Sequence, residues 1–198
     1  RAVMDPLPNP GFKPDIIHCN DWHASMLPML GKTQYAGCMQ EKLKYLLSIH
    51  NIAFQGRYDF GYVQDLLHVD PKYYTSEIME LWGIADFLKA GCYFADKIST
   101  VSPTYAEEIK TDYYSEGLGA ILNARASDLC GILNGIDAVL FNPEKDALIP
   151  AHFSAEDRSG KAACKSALQE RLGLEVRSDL PILAMVTRMT EQKGFALV

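Results

Sequence analysis

Two cationic side chains near the end of the sequence could act together in catalysis, because Arg188 and Lys193 are five residues apart and bracket a polar segment. The apolar run 182–186 precedes them and has the composition of a buried parallel strand. A second apolar segment begins at Gly194 and predicts the opening of a helix. Free N–H groups at a helix start, beside two cations, could stabilise a leaving diphosphate without a metal ion. An ordinary strand-to-helix loop with two solvated cations fits the same residues equally well.

Other polar residues that could contact a ligand follow the ends of predicted strands. The strands are predicted at residues 15–19, 45–49, 97–101 and 129–133. The polar residues that follow them include Asp21, His23, Asn51, Gln55 and Asn134. Because the carboxyl ends of parallel strands meet at one edge of a sheet, where α/β proteins bind ligands, we expect these residues to line one cleft.

Three of these polar residues, Asp21, His23 and Asn134, also have a purely structural interpretation. His23 could pack on Trp22 at the start of a helix, and Asp21 could be the N-cap of that helix. Asn134 and Gly135 form a dipeptide that is common in simple turns. The pattern alone leaves both interpretations open for these three residues.

The elements that must position these residues alternate between short strands and helices, which predicts an α/β fold with a parallel, doubly wound sheet. The helices are predicted at 24–31, 84–95, from Pro103 onward, 117–126 and 159–172. We expect Gly31 to end the first of them and Gly91 to allow close packing of the second. The aromatic residues Phe54, Tyr58 and Phe60 could stack on sugar rings, but aromatic residues in a loop between packed elements more often lie in the core, where we expect them.

A change of pattern after residue 134 predicts two domains. Residues 1–137 are interpreted as part of a first Rossmann-like domain, and residues 138–198 as a linker and the start of a second. The strand at 182–186 would begin the second α/β unit. Two such domains facing each other would place His23, Asn134, Arg188 and Lys193 on opposing walls of a cleft.

Composition excludes several classes of protein. The chain has 198 residues, 48% of them hydrophobic, and a net charge of −6, which argues against a nucleic-acid-binding surface. Its five cysteines show neither CxxC nor zinc-ligand spacing, so we expect free thiols in a reducing cytoplasm. No apolar run reaches the roughly 18 residues of a membrane span.

Five linked motifs carry a resemblance to a known family. The segments IIHCNDWHASMLP, SIHNIAFQG, FLKAGCYFADKISTVSPTYAEEI, GILNGID and VTRMTEQKG occur in the order found in bacterial glycogen synthases and plant starch synthases, which are family 5 glycosyltransferases. The resemblance implies the GT-B fold, with two Rossmann-like domains of which the second is truncated here, and no metal. It also implies retaining transfer of glucose from ADP-glucose to the non-reducing 4-OH end of an α-1,4-glucan such as glycogen, in the full-length protein.

The resemblance assigns roles to individual residues. Arg188 and Lys193 match the pair that binds the donor diphosphate as it leaves, and His23 matches the histidine that faces the transferred glucose. Asn134 matches an asparagine near the sugar. The motifs that line the cleft contain Asp21, Asn51 and Gln55. Retention without a well-placed carboxylate nucleophile requires front-side attack, so the protein contributes positioning and charge stabilisation.

Departures from the family pattern limit this prediction. The family's KxGG donor loop and its second-domain acidic motif do not occur in the sequence, so we expect the 198-residue chain alone to be inactive. An α-glucan phosphorylase or a family 4 nucleotide-sugar transferase is the enzymatic alternative, although the latter is not expected to carry HNIAFQG. A glucan-binding paralogue without turnover is the third alternative, which the presence of Arg188 and Lys193 disfavours. ADP-glucose and UDP-glucose both remain open as the donor.

Overall fold

The computed structural model describes residues 3–5 and 11–198. The chain divides into two compact units, Arg1–Asn134 and Gly135–Val198. This division lies close to the domain boundary predicted after residue 137. The assignment of the two units to two domains of a longer protein stays a prediction.

Strands and helices alternate along the first unit. The strands are β1 (Ile16–Asn20), β2 (Lys44–Ile49), β3 (Arg57–Tyr58), β4 (Glu80–Leu81), β5 (Ile84–Asp86), β6 (Lys97–Thr100) and β7 (Leu129–Gly131). The helices are α1 (Asp21–Ala24), α2 (Met26–Thr33), α3 (Met39–Lys42), α4 (Phe60–Leu67), α5 (Phe87–Phe94), α6 (Pro103–Glu108), α7 (Gly119–Ala124) and, in the second unit, α8 (Gly160–Arg171). Short 3-10 turns lie at Pro71–Tyr73, Ala126–Asp128, Glu191–Lys193 and Phe195–Leu197.

A four-stranded sheet in the order β1-β2-β6-β7 is parallel throughout, which confirms the predicted α/β fold class. Strands β1, β2 and β6 lie where the sequence predicts strands, at 15–19, 45–49 and 97–101. Only the first part of the predicted strand 129–133 forms, because pairing with β6 ends at Gly131. A second, small antiparallel sheet has the order β3-β5-β4.

Two glycines allow helices to approach the sheet and each other. A Cβ atom at Gly91 would lie 2.7 Å from the backbone oxygen of Ser25, so the predicted close packing at Gly91 is confirmed. Gly31 does not end its helix, which continues to Thr33. The prediction is wrong because Gly31 has a packing role: a Cβ atom there would overlap the hydroxyl of the buried Tyr45.

The prediction of a helix at 84–95 is wrong for the first three residues. Ile84–Asp86 instead forms strand β5, which pairs with both β3 and β4. Helix α5 begins at Phe87, and the side chain of Asp86 caps it by accepting a hydrogen bond from the backbone N–H of Lys89 at 2.8 Å. Pairing with two neighbouring strands therefore outweighs the helical spacing of the apolar residues.

Arg125 closes the other end of helix α5. Its guanidinium donates hydrogen bonds to the backbone oxygens of Cys92 and Tyr93 at 2.8 Å and of Ala95 at 2.6 Å. It also donates to the carboxylate of Asp128, which directly precedes strand β7. The last carbonyls of a helix lack intrahelical partners, and here one side chain supplies them.

The second unit contains one predicted helix and lacks one predicted strand. Helix α8 ends before Gly173, which has a φ of +68°, so the helix predicted at 159–172 is confirmed. The strand predicted at 182–186 is wrong: Leu183 is 86% and Val186 99% exposed, and no described strand pairs with this run. An apolar run without a neighbour leaves its N–H and C=O groups unpaired, and it remains irregular here.

The helix predicted to open at Gly194 is also wrong. The segment instead forms two 3-10 turns, Glu191–Lys193 and Phe195–Leu197, with Gly194 between them at a φ of +74°. In the described part of the chain, no helix combines the length and the apolar character needed to cross a membrane. All five cysteines are free thiols, as predicted.

Candidate functional site

The carboxyl ends of strands β1 and β2 are connected by polar side chains. The Asp21 carboxylate accepts hydrogen bonds from the backbone N–H of His50 at 2.8 Å and of Asn51 at 3.3 Å. In return, the His50 ring is 2.9 Å from the side-chain oxygen of Asn20. The structure therefore brings Asp21 and Asn51, both predicted site residues, into direct contact at one edge of the sheet.

Asp21 is not the N-cap of the following helix, so that interpretation is wrong. The helix already includes Asp21, and the residue before it, Asn20, makes no side-chain capping bond. Asp21 has a φ of +52°, an uncommon conformation for a residue other than glycine. The hydrogen bonds of its carboxylate to the loop after β2 fix this conformation, and such a long-range contact leaves no local signal in the sequence.

His23 presents its ring to solvent while one face of the ring is covered. The residue is exposed, and its ring stacks on that of Trp22 with centroids 4.0 Å apart and an interplanar angle of 28°. Trp22 in turn packs against the apolar core, and Gly56 lies so close that a Cβ atom there would be 2.4 Å from the indole. The structural and functional interpretations of His23 are thus compatible, because stacking orients the ring without consuming its nitrogens.

Gln55 is a predicted substrate-binding residue whose polar atoms are engaged within the protein. It is 3% exposed, and its amide nitrogen donates to the backbone oxygens of Ile52 at 3.0 Å and Glu116 at 3.1 Å. Its amide oxygen accepts a hydrogen bond from Arg57 Nε at 3.1 Å. The geometry therefore favours a role for Gln55 in shaping the loop rather than in direct contact with a ligand.

A buried ion pair anchors the same loop, and sequence reasoning missed it. Arg57 Nε lies 3.2 Å from Oδ2 of Asp86, whose side chain is fully buried. Burial raises the pKa of Asp86, although the hydrogen bonds from the Lys89 N–H and the Arg57 guanidinium oppose this rise. In the sequence, an aspartate directly before a helix is a signal for an N-cap, so the capping role of Asp86 could have been found. Its pairing with Arg57 has no local signal, because the two residues are far apart in the sequence.

An open depression of about 260 Å³ lies along this loop. It is lined by Trp22, Ala53, Phe54, Gln55, Gly56 and Arg57. Phe54 is 50% exposed, so its predicted place in the core is wrong, whereas Tyr58 and Phe60 pack against an apolar cluster as predicted. Phe54 is excluded from the core because the neighbouring Ile52 and Gln55 take the buried positions of this loop.

Strand β6 contributes the third part of this edge. The hydroxyl of Thr100 donates to the backbone oxygen of Ile49 at 2.8 Å, and the Tyr105 hydroxyl accepts from the N–H of Ile52 at 3.3 Å. Helix α6 begins with Pro103, as predicted, and Ser102 is its N-cap. These bonds hold the ends of three parallel strands and the loop after β2 in one arrangement.

The remaining predicted site residues lie elsewhere in the chain. Asn134 is exposed and is the last residue of the first unit. Arg188 and Lys193 belong to the second unit, and both are exposed with no ion pair in the described part of the chain. Backbone hydrogen bonds from Thr190 to Arg188 and from Lys193 to Thr190 fold the segment between them into a turn. Among the described residues, no group of His, Cys, Asp and Glu side chains is arranged to hold a metal ion.

Comparison with known proteins identifies the family. The family model for the starch synthase catalytic domain matches residues 1–124 of the sequence. The chain therefore belongs to the starch synthase catalytic domain family. This result confirms the resemblance seen in the sequence motifs, and it favours this family over the phosphorylase and family 4 alternatives.

Individual family members match over the whole chain. The chain is 46% identical to a glycogen synthase of Geobacillus thermodenitrificans and 46% identical to one of Streptococcus equi subsp. equi, covering 100% of the chain in both cases. It spans 41% and 42% of the length of these two relatives. Among solved structures, the chain is similar to the catalytic domain of starch synthase IV from Arabidopsis thaliana, bound to ADP and acarbose. The TM-score is 0.87 and the sequence identity is 33%. The match covers 100% of the chain and 41% of that structure's length.

Proposed function

We propose that the full-length protein is a glycogen synthase. It transfers glucose from ADP-glucose to the non-reducing 4-OH end of an α-1,4-glucan, with retention of configuration and without a metal ion. Its partners are the nucleotide sugar and the glucan, and its free thiols suit a reducing cytoplasm. Because the chain spans about two fifths of the relatives' length, the activity is proposed for the full-length protein and not for the 198 residues alone.

The observation that carries this proposal is the similarity of the entire chain to glycogen synthases at 46% identity. The similar Arabidopsis structure adds support, since it is described as bound to ADP and to the oligosaccharide analogue acarbose. A nucleoside diphosphate is the product expected on the donor side, and an oligosaccharide resembles the acceptor.

The reaction that we propose needs charge stabilisation more than it needs an acid or a base. The acceptor 4-OH attacks the anomeric carbon as the bond from that carbon to the diphosphate breaks, and the leaving phosphate oxygen takes the acceptor proton. Arg188 and Lys193 stabilise the negative charge that develops on the diphosphate. Both side chains are exposed and unpaired in the described part of the chain, so a diphosphate would not have to displace an existing carboxylate partner.

His23 is proposed to bind a hydroxyl group of the transferred glucose. Its stacking on Trp22 fixes the plane of the ring, and Trp22 is itself fixed by Gly56 and the core. A fixed donor or acceptor loses less entropy when it binds substrate than a mobile one does. Asp21 and Asn51 support this edge through their mutual hydrogen bond.

The test follows labelled glucose from ADP-glucose or UDP-glucose into glycogen with the full-length protein. We expect incorporation from ADP-glucose, and we expect Lys193→Ala to lower kcat by about two to three orders of magnitude because one stabilising charge is lost. Lys145→Ala is the matched control, since Lys145 is an exposed lysine of the same unit that the proposal does not use.

Two results would contradict the proposal. If Lys193→Ala and Lys145→Ala have equal activity, the cationic turn does not take part in the reaction. If neither donor gives incorporation while glycogen still binds, the protein is the non-catalytic paralogue. Incorporation from UDP-glucose alone would retain the reaction and correct the donor.

A further inference from the structure

Asn134 and Gly135 lie in an exposed, irregular segment at the end of the first unit. Residues 132–137 belong to no helix or strand, and the neighbouring Leu133 and Ile136 are 73% and 89% exposed. In the described part of the chain, neither the Asn134 side chain nor the Gly135 N–H forms a hydrogen bond. Both groups are therefore free to react with each other or with solvent.

Neither packing nor backbone conformation explains the glycine at position 135. Glycine is required where φ is positive or where another group approaches the backbone closely. Gly135 does not have a positive φ, and nothing lies within 4 Å of a Cβ atom at this position. Asn134 has no positive φ either, so the pair does not form the tight turn in which it is commonly found. What glycine provides here is access, because no side chain shields its N–H.

An asparagine beside an unshielded backbone N–H can undergo ring closure. The Gly135 nitrogen attacks the side-chain carbonyl carbon (Cγ) of Asn134, the new C–N bond closes a five-membered succinimide ring, and ammonia leaves with the proton of that nitrogen. Water then adds to either carbonyl carbon of the ring and breaks its bond to the nitrogen. The products are an aspartate and an isoaspartyl link through the side chain. Because the two reacting groups belong to neighbouring residues, the reaction needs no enzyme, and water is the only co-reactant.

The other asparagines of the sequence are less suited to this reaction. Asn134 alone precedes a glycine, whereas Asn9 and Asn142 precede proline, which has no N–H that could react. Asn123 lies in helix α7, where its side-chain nitrogen donates hydrogen bonds to two backbone oxygens at 2.7 and 2.8 Å. These bonds hold the Asn123 amide in place, so it serves as an internal reference. The remaining asparagines have side-chain oxygens engaged in hydrogen bonds at 2.9 and 3.1 Å, and they are Asn20 and Asn51.

We propose that Asn134 is a modification site, at which ring closure with Gly135 converts the asparagine to aspartate and isoaspartate and ends glucose transfer. The effect on transfer rests on the proposed function, because the family resemblance matches Asn134 with an asparagine near the sugar. Deamidation replaces a neutral amide by a carboxylate, which repels the diphosphate of the donor. The isoaspartyl product also adds a methylene group to the main chain where the first unit ends. Transfer activity should therefore fall in proportion to the modified fraction.

The test stores the full-length protein under native conditions at mildly alkaline pH and follows Asn134 by mass spectrometry of proteolytic peptides. We expect Asn134 to deamidate at least about tenfold faster than Asn123, a ratio that corresponds to about 1.4 kcal/mol in activation free energy. Hydroxylamine, which cleaves a chain at a succinimide, should cut the stored protein after residue 134. Gly135→Ala is the matched control, because its methyl group shields the attacking nitrogen and meets nothing within 4 Å, so the fold is retained.

The outcomes separate the modification from the proposed function. If Asn134 keeps its amide during storage, or if Gly135→Ala is modified as fast as the unsubstituted protein, the modification site is overturned. If Asn134 is modified and transfer stays constant, the effect on activity is overturned. Retained transfer in stored Gly135→Ala, with loss of transfer in the unsubstituted protein, supports both. A freshly purified protein that transfers no glucose contradicts the proposed function alone, because the peptide mass still reports the modification.

Discussion

The two units of the chain place similar apolar segments in opposite environments. In the first unit, Leu47 of β2 and Ile98 of β6 are fully buried. In the second unit, Leu183 and Val186 are 86% and 99% exposed, although the run 182–186 is as apolar as β2. Strand β2 has a neighbour on each side, whereas no described strand pairs with 182–186. The comparison teaches that an apolar run becomes a strand only where a neighbouring strand can take its hydrogen bonds.

Amide hydrogen exchange of the 198-residue chain should give the largest contrast between the units. We expect the amides of β2 and β6 to exchange at least about three orders of magnitude more slowly than those of 182–186, because paired strands exchange only by unfolding. Mass spectrometry of peptides from the two regions measures this difference. Slow exchange at 182–186 would show that this run finds a partner after all, and would remove the contrast.

A pair of glycine substitutions tests how tightly each unit is packed. A Cβ atom at Gly131 would lie 2.1 Å from the backbone oxygen of Ser102, whereas nothing lies within 4 Å of a Cβ atom at Gly135. We expect Gly131→Ala to destabilise the first unit by about 1–3 kcal/mol and Gly135→Ala to have little effect. Urea unfolding of both variants provides the measurement. Equal midpoints for the two variants would contradict the tight contact between β7 and the start of α6.

Two aspartates with lowered pKa values, one in each unit, allow a comparison with the smallest expected effect on stability. Burial raises the pKa of Asp96, but the hydrogen bond from the Tyr45 N–H and the charges of Lys32 and Lys44 more than offset it. A carboxyl whose pKa is lowered in the folded state stabilises the fold above its unfolded pKa, and that stability is lost as the pH falls through the folded value. We expect Asp96→Asn to cost about 1 kcal/mol at pH 7, and this cost should shrink once the pH falls below the unfolded pKa and disappear below the lowered, folded pKa.

The control for Asp96 lies in the second unit. Arg177 lowers the pKa of Asp179, but Asp179 is exposed, and exposed ion pairs contribute little to stability. Asp179→Asn should therefore leave the unfolding midpoint unchanged at every pH. If the loss of stability in Asp96→Asn does not depend on pH, packing and not charge is the cause of the loss.

Local pattern was sufficient to predict the parallel sheet, since the apolar runs at β1, β2 and β6 are bounded by polar residues. It was insufficient where a distant residue decides the outcome. Ile84–Asp86 is a strand because β3 and β4 pair with it, and Asp21 bonds to the loop after β2 instead of capping its own helix. For both, the deciding contact joins segments that are separate in the sequence.

The candidate site, like the fold, was predictable only where the signal is local in the sequence. The sequence motifs identified Asp21, His23 and Asn51, which follow the ends of neighbouring strands. Arg57 was missed because its partner Asp86 lies in a different strand of the small antiparallel sheet.

The guanidinium of Arg125 limits which residues the chain can accept at that position. It serves three carbonyls at the end of helix α5 and a carboxylate ahead of strand β7, two segments that are far apart in the sequence. A lysine carries the same charge, but its three donors share one nitrogen and cannot reach acceptors spread over such a distance. Natural variants of this family that exchange arginine for lysine elsewhere on the surface should therefore retain arginine here, because the position selects for shape and not for charge.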